Sequence, residues 1–193
     1  RFLRSGKWLG GRMDLGTTVR GKRLGILGLG RIGKAVARRA EVFGLHIAYH
    51  DIKPMGDLLY RSYPSLLDLA NASDILLVAC EGGEVNRGLV DAAALKALGP
   101  DGFLINAARG PIINQPALIA ALRDGGIAGA AMDVFDGEPE VPAELMAMEN
   151  VVLTPHIASS THETRRAMAD LVYDNIRAHF DGKPVLTPVP LQI

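Results

Sequence analysis

The segment Leu24-Gly25-Ile26-Leu27-Gly28-Leu29-Gly30-Arg31-Ile32-Gly33 decides the fold of this chain. Its apolar start is typical of a buried strand, and its last three glycines are typical of a tight turn. The residues that follow, through Phe43, show helical periodicity. The segment therefore predicts a strand, a glycine turn and a helix, in that order.

Outward from this segment, short runs rich in Val, Ile and Leu alternate with helical patterns. This alternation predicts βαβ units, and so an α/β fold whose parallel sheet is doubly wound, with helices on both faces. We predict strands at 23–28, 46–50, 75–79, 102–106, 127–132 and 151–153, and helices at 31–43, 65–72, 91–98, 115–124 and 161–180. Expected helix starts are Asp68, Asp91 and Thr161, and expected stops are Gly99-Pro100, Gly125-Gly126 and Gly182.

Each glycine of the turn has a physical task in a Rossmann dinucleotide site. Gly28 would make the tight turn, Gly30 would let the backbone approach a pyrophosphate, and Gly33 would let the helix pack closely on the strand. The phosphates would lie at the positive end of the helix. Any tight turn from strand to helix can use glycines, so a purely structural turn is the alternative.

A carboxylate in the expected position supports the dinucleotide site. Asp51 ends the second predicted strand, about 20 residues after the glycines, where a carboxylate binds the adenosine ribose. It would repel a 2′-phosphate and so favours NAD, although the nearby Lys53 leaves NADP possible. A solvated turn residue is the alternative for Asp51, and His50 is better explained as a structural histidine at the strand end.

Composition excludes several function classes. The 21 Lys and Arg balance 21 Asp and Glu, so no net field favours nucleic acid or an anionic membrane. Apolar runs stay short of the roughly 20 residues of a membrane span, and the single cysteine excludes an internal disulfide framework. We therefore expect a cytoplasmic protein. The opening Arg1-Phe2-Leu3-Arg4 resembles the end of a helix that stops at Gly10-Gly11, which indicates a fragment.

Three reactive side chains follow predicted strands. Arg109, Glu138 and His156 each come after a strand, at the carboxyl edge where open α/β sheets bind ligands. A guanidinium can grip a carboxylate and polarise a neighbouring ketone. A histidine beside a carboxylate is favoured in its charged form, which can donate a proton. The alternatives are a surface arginine and a histidine with a structural role.

Four blocks in order carry a family resemblance. The glycine turn with Asp51 is followed by Asn106-Ala107-Ala108-Arg109-Gly110, by Asp133-Val134-Phe135-Asp136-Gly137-Glu138-Pro139 and by Pro155-His156-Ile157-Ala158-Ser159. With them the chain resembles the D-isomer-specific 2-hydroxyacid dehydrogenase family over essentially its whole length, and most of all the glyoxylate and hydroxypyruvate reductase-like branch.

The resemblance implies roles for individual residues. Arg109 matches the catalytic, substrate-binding arginine, His156 the acid/base, Glu138 its partner, and Asp133 the carboxylate that meets the nicotinamide carboxamide. Arg31 and Ile32 would cover the pyrophosphate. The other implied cofactor contacts are Cys80, Ala108, Arg109, His156 and Ala158. For Cys80 a buried, inert thiol is the better interpretation, Glu81 departs from the proline or alanine expected there, and no metal is expected.

The same resemblance implies an arrangement of domains. Residues 21–160 would form the dinucleotide-binding domain, 1–20 an arm, and 161–193 a helix and tail that return to a substrate domain missing from this chain. We expect a small 2-keto or 2-hydroxy acid as substrate and a homodimer, without nucleic acid or membrane. An NAD(H)-sensing transcriptional corepressor of the C-terminal binding protein type is the alternative function, and a purely structural Rossmann module is disfavoured.

Overall fold

Seven parallel strands form the centre of the computed structural model, which describes residues 2–53 and 59–189. The strands are β1 (Arg23–Leu27), β2 (His46–His50), β3 (Arg61–Ser62), β4 (Ile75–Val78), β5 (Phe103–Asn106), β6 (Gly129–Met132) and β7 (Val151–Leu153). Their order in the sheet is β3-β2-β1-β4-β5-β6-β7. The order reverses beside β1, so the glycine turn lies at the crevice where doubly wound sheets bind ligands.

In the described residues, six α-helices connect or follow the strands. They are α1 (Arg31–Val42), α2 (Leu66–Asn71), α3 (Ala92–Leu98), α4 (Gln115–Arg123), α5 (Ala143–Ala147) and α6 (His162–Phe180). Single 3₁₀ turns lie at Lys7–Leu9, Glu84–Asn86 and Gly110–Ile112. The predicted α/β fold with a doubly wound parallel sheet is therefore confirmed.

Alternate residues of β4 enter two separate apolar cores. In β4, Leu76 and Val78 pack in a core with residues of α2, α3 and α4, whereas Leu77 packs in a second core with Ile26 and Ala37 of α1. Because successive side chains of a strand point to opposite faces, the two cores lie on opposite faces of the sheet. The helices thus cover both faces around β1 and β4.

The second face is less covered at the β7 end of the sheet. Phe103 on β5 is 39% exposed and Val152 on β7 is 65% exposed. Helix α6 also exposes apolar side chains: Met168, Leu171, Val172, Tyr173, Ile176 and Phe180. Only Ala178 of this helix is buried. No helix of the described residues is long and apolar enough to cross a membrane.

Local chemistry explains most of the element boundaries. Asp91 and Thr161 cap α3 and α6 as predicted, because their side chains accept hydrogen bonds from the third residue beyond. The prediction for Asp68 is wrong, since the hydroxyl of Ser65 caps α2 by accepting the Asp68 N–H. Asp68 instead lies in the first turn, where a carboxylate suits the positive helix end. Gly99, Gly125 and Gly182 all have positive φ at or just after helix ends.

A few features differ from the prediction. Strand β3 has two exposed polar residues, and α5 has five residues, so neither is long enough to show a periodic pattern. Gly28 lies after β1 and not in it. The arm forms turns and the 3₁₀ helix that ends at Gly10, in place of an α-helix end. Arg1 of the arm and 190–193 of the tail lie outside the described residues.

Candidate active site

Two of the three glycines in the turn are required by close packing. At Gly28, φ is +91°, and a Cβ atom would lie 2.6 Å from the backbone of Cys80. At Gly33, a Cβ atom would lie 2.3 Å from the carbonyl oxygen of Gly28. Real Cβ atoms essentially never come this close to backbone, so glycine is needed at Gly28 for contact with Cys80 and at Gly33 for packing of α1 on the end of β1.

The third glycine faces open space. Gly30 is the N-cap of α1, and a Cβ built there would meet nothing within 4 Å. No side chain caps the helix, although the positive end of a helix attracts an anion. Arg31 and Ile32 form the first turn, and Ile32 is exposed. The absence of a side chain and of a cap fits the approach of a dinucleotide pyrophosphate to the backbone.

Asp51 is held beside the same turn. Its Oδ2 accepts a hydrogen bond from the Leu29 N–H at 2.7 Å, and its Oδ1 accepts one from the Lys53 N–H at 2.9 Å. Each oxygen retains a lone pair that could accept a ribose hydroxyl. Neighbouring His50 directs Nδ1 at the carbonyl oxygen of Tyr63, 2.9 Å away, which agrees with a structural role.

A cavity of about 570 Å³ opens next to the glycine turn. It is lined by residues that follow β1, β4 and β5: Ile32, Ala79, Cys80, Glu81, Gly82, Gly83, Glu84, Arg87, Ala107, Ala108, Arg109 and Pro111. Burial raises the pKa of the Cys80 thiol to about 11, so this group is protonated and unreactive at neutral pH. Glu81 accepts a hydrogen bond from the Asn86 amide through its backbone carbonyl.

Asn106 holds Arg109 at this cavity, a role that the sequence did not indicate. Its Oδ1 accepts the Ala108 N–H at 3.1 Å, and its Nδ2 donates to the Arg109 carbonyl at 3.0 Å. Asn106 is completely buried at the end of β5. Gly82 packs against Arg109, because a Cβ there would lie 2.7 Å from the arginine Cγ. Asn106 thus fixes the backbone at Arg109, and Gly82 leaves room for the arginine side chain.

Glu138 and His156 are in hydrogen-bond contact, the arrangement expected for the predicted acid/base residue and its partner. Glu138 Oε2 lies 2.7 Å from His156 Nδ1, and its Oε1 accepts the Phe135 N–H at 2.8 Å. Burial opposes ionisation of Glu138, but the hydrogen bonds from His156 and Phe135 outweigh it and lower its pKa. An ionised carboxylate can only accept, so Nδ1 donates and Nε2 is left to exchange protons. The histidine side chain is half exposed.

The arginine loop and the glutamate loop are in backbone contact. A Cβ at Gly110 would lie within 2.0 Å of the backbone carbonyl of Phe135, so only glycine fits there. Arg87 forms an ion pair with Asp136 at 3.3 Å across the same junction. The structure therefore places Arg109 in the cavity of the glycine turn and Glu138 on the loop that adjoins it, with His156 paired to Glu138 from the loop after β7.

Asp133 binds the loop that carries the histidine. Its buried carboxylate accepts hydrogen bonds from the Thr154 hydroxyl at 2.6 Å and from the N–H groups of Ile157 and Ala158 at 2.9 and 3.0 Å. Burial opposes ionisation of Asp133, but these bonds and the nearby His156 lower its pKa. In the described ranges, no cluster of three or more His, Cys, Asp or Glu side chains could hold a metal ion.

Comparisons with known proteins agree with one another. The family model described as "D-isomer specific 2-hydroxyacid dehydrogenase, NAD binding domain" matches residues 1–158. The chain is 54% identical to glyoxylate/hydroxypyruvate reductase A of Arabidopsis thaliana over 98% of its own length and 60% of that protein. It is 42% identical to 2-ketogluconate reductase of Gluconobacter oxydans, over 97% of this chain and 61% of that protein.

A solved structure extends this likeness to three dimensions. The NADPH-dependent glyoxylate/hydroxypyruvate reductase of Sinorhizobium meliloti, in complex with NADP and malonate, superposes with a TM-score of 0.92 at 46% identity. The match covers 98% of this chain and 60% of that one. The chain thus spans about three fifths of the length of these relatives. They give no support to the corepressor alternative.

Proposed function

Because the chain belongs to the D-isomer-specific 2-hydroxyacid dehydrogenase family, we propose that it is the dinucleotide-binding part of a reductase for small 2-keto acids. The observation that carries the proposal is the pair of Glu138 and His156, 2.7 Å apart, which joins the loops after β6 and β7 next to the loop of Arg109 at the cavity. A proton donor and a dinucleotide site at one sheet edge are what keto-acid reduction needs.

The residues have distinct tasks in this mechanism. The bound nicotinamide would supply the hydride. Glu138 accepts a hydrogen bond from Nδ1 and stabilises the charged imidazole, so that Nε2 can give a proton to the carbonyl oxygen of the keto acid. Arg109 would bind the carboxylate of the substrate and polarise the ketone. In the reverse direction, His156 takes the proton back from the hydroxyl.

We propose that NAD(H) is the preferred cofactor and that NADP(H) is also bound. The position of Asp51 beside Leu29 favours a ribose that carries free hydroxyls. The Sinorhizobium reductase, by contrast, is described as NADPH-dependent. Titration of the 193-residue chain with NADH and NADPH would decide between them. Asp51→Ala should narrow any preference for NADH, and an unchanged ratio of the two affinities would contradict the role of Asp51.

The substrate, the oligomeric state and the cellular location of the protein are further proposals. We propose glyoxylate or hydroxypyruvate as substrate, as in the names of the Arabidopsis and Sinorhizobium relatives. A substrate domain outside residues 1–193 would complete the site, and α6 with the tail would lead back to it. The exposed apolar residues of α6 and β7 support such a contact or a homodimer. The homodimer and the cytoplasmic location remain predictions.

The decisive experiment is a keto-acid panel on the complete protein. NADH oxidation is followed with glyoxylate, hydroxypyruvate, 2-ketogluconate and phenylpyruvate, the last two representing larger side chains. Turnover of glyoxylate or hydroxypyruvate at ordinary enzyme rates, on the order of 1–10³ s⁻¹, is expected. Tight NADH binding without turnover of any keto acid would contradict the proposal. Light scattering after size-exclusion chromatography measures the oligomeric state.

A further inference from the structure

We infer that Thr154 is a positioning residue that sets the geometry of the acid/base pair through Asp133. The inference rests on the proposed function, because it concerns the residue proposed as proton donor. Thr154 follows β7 and is half-buried, and its hydroxyl donates to Asp133 Oδ1 at 2.6 Å. It does not touch Glu138 or His156 through any hydrogen bond of its side chain.

The backbone at His156 needs external support. His156 has φ +51°, and it is the only residue other than glycine with positive φ in the described part of the chain. A residue other than glycine rarely adopts this backbone conformation, and it does so where surrounding contacts stabilise it. The His156 N–H donates to the backbone carbonyl of Asp133 at 2.9 Å. The next two N–H groups, of Ile157 and Ala158, donate to its carboxylate.

Thr154 decides how that carboxylate is oriented. Oδ1 accepts two hydrogen bonds, from Thr154 and from Ile157, and is therefore filled, whereas Oδ2 accepts one from Ala158. One lone pair of Oδ2 is left for a further donor, which is where the carboxamide of a nicotinamide would fit. Thr154 is thus the one side chain that ties the carboxylate to the loop. The other two bonds to the carboxylate come from backbone.

Loss of the hydroxyl should therefore loosen the loop and the ring on it. Asp133 would keep its two backbone donors but could rotate, and the support of the left-handed backbone at His156 would be weaker. The charged groups that face the imidazole are the carboxylates of Glu138 and Asp133. If the ring leaves Glu138, its neutral form should no longer carry the proton predominantly on Nδ1, because that tautomer is fixed by the carboxylate acceptor.

The experiment measures this tautomer directly in the 193-residue chain. Long-range ¹H–¹⁵N correlation spectra of the histidine rings, recorded at a pH at which imidazoles are neutral, are compared for wild type, Thr154→Val and Thr154→Ser. Wild type and Thr154→Ser should show predominantly Nδ1–H, and Thr154→Val should show a mixture closer to that of Glu138→Ala. Thr187→Val is the matched control, because it removes a threonine hydroxyl that follows α6 and accepts a hydrogen bond from the Asn175 side chain.

Kinetics on the complete protein give the second readout. Thr154→Val should lower kcat by about 10- to 100-fold with little change in the KM for NADH, and Thr154→Ser should restore most of it. An Nδ1–H tautomer in Thr154→Val equal to that of wild type would overturn the inference, whatever the activity. If Thr154→Val does not fold, Thr154→Ala supplies the same test. Failure of the proposed function appears separately, as a wild type with the fixed tautomer but no keto-acid turnover.

Discussion

The glycine turn and the histidine loop lie at the carboxyl edge of one sheet, but they are held by opposite means. At the turn, Gly28 and Gly33 are fixed because no side chain fits against the neighbouring backbone. At the loop, His156 is fixed because the carboxylates of Asp133 and Glu138 accept hydrogen bonds from it and its neighbours. The glycine turn thus depends on the absence of side chains, and the histidine loop depends on hydrogen bonds.

The two regions should therefore differ in which amino-acid substitutions they tolerate. An added methyl group at Gly28 or Gly33 meets backbone, which cannot move without disturbing the neighbouring elements. A removed oxygen at the loop leaves the core packing unchanged and affects the orientation of one ring. We therefore expect changes at the turn to act on folding and cofactor binding, and changes at the loop to act on turnover. Four substitutions test this division.

The largest effect is expected for His156→Ala. Removal of the proposed proton donor should lower kcat by roughly 10²- to 10⁴-fold, as is usual for loss of a general acid, while NADH affinity stays within about twofold. Steady-state kinetics and NADH fluorescence titration measure the two quantities. His179→Ala at the exposed end of α6 is the control and should leave kcat unchanged. Equal turnover by wild type and His156→Ala would remove the proposed acid.

Gly33→Val should mainly destabilise the fold. The added side chain would meet the carbonyl of Gly28, and overpacking of this kind costs about 1–3 kcal/mol or more. Urea unfolding followed by circular dichroism measures the loss in the free energy of unfolding. Gly16→Val in the exposed arm, where a Cβ meets nothing within 4 Å, is the matched control. Equal stability of Gly33→Val and Gly16→Val would show that α1 is not packed on β1 as described.

Gly30→Ala separates binding from folding at the turn. Its Cβ would enter open space, so the free energy of unfolding should change by less than about 0.5 kcal/mol. The same Cβ would obstruct a pyrophosphate at the end of α1, and NADH affinity should fall by about tenfold or more, since each 1.4 kcal/mol is tenfold. Calorimetric titration with NADH checks this. Undiminished affinity would mean that the dinucleotide does not approach the backbone here.

The smallest effect is expected for Asp74→Asn, because Asp74 lies far from both regions, at the amino edge of the sheet. Asp74 accepts hydrogen bonds from the guanidinium and the backbone N–H of Arg23, and these hydrogen bonds lower the Asp74 pKa to about 2. The stabilisation is present above the ordinary pKa of 3.8 and is lost as the pH falls from there towards 2. Because the guanidinium is half exposed, Asp74→Asn should cost only about 1 kcal/mol at pH 7.

Urea unfolding of wild type and Asp74→Asn at pH 7, 4 and 2.5 checks this prediction. The difference between the two proteins should shrink at the lowest pH, while NADH affinity at pH 7 is the same for both. A change in NADH affinity would mean that strain at the amino end of β1 reaches the glycine turn. A difference that grows as the pH falls would contradict the lowered pKa.

The sequence predicted most of the elements because they are locally encoded. Buried strands such as β4 are continuous apolar runs, and caps such as Asp91 and Thr161 act within one turn of their helix. The prediction missed β3 because its two polar residues become a strand only by pairing with β2. It misplaced one cap because Ser65 and Asp68 are both residue types that can cap a helix. In the structure, Ser65 precedes the first turn of α2 and caps it, whereas Asp68 lies within that turn.

What the sequence by itself determined is the class of fold and the sheet edge at which the three candidate reactive side chains lie. The glycine spacing and the strand ends bring Gly28, Arg109 and His156 to one edge whatever the details of packing. Only the tertiary structure decided what holds them. The contact of Thr154 with Asp133 joins the ends of β7 and β6, so its geometry depends on how these neighbouring strands align. No local pattern records that alignment, because it is fixed by burial of the whole sheet.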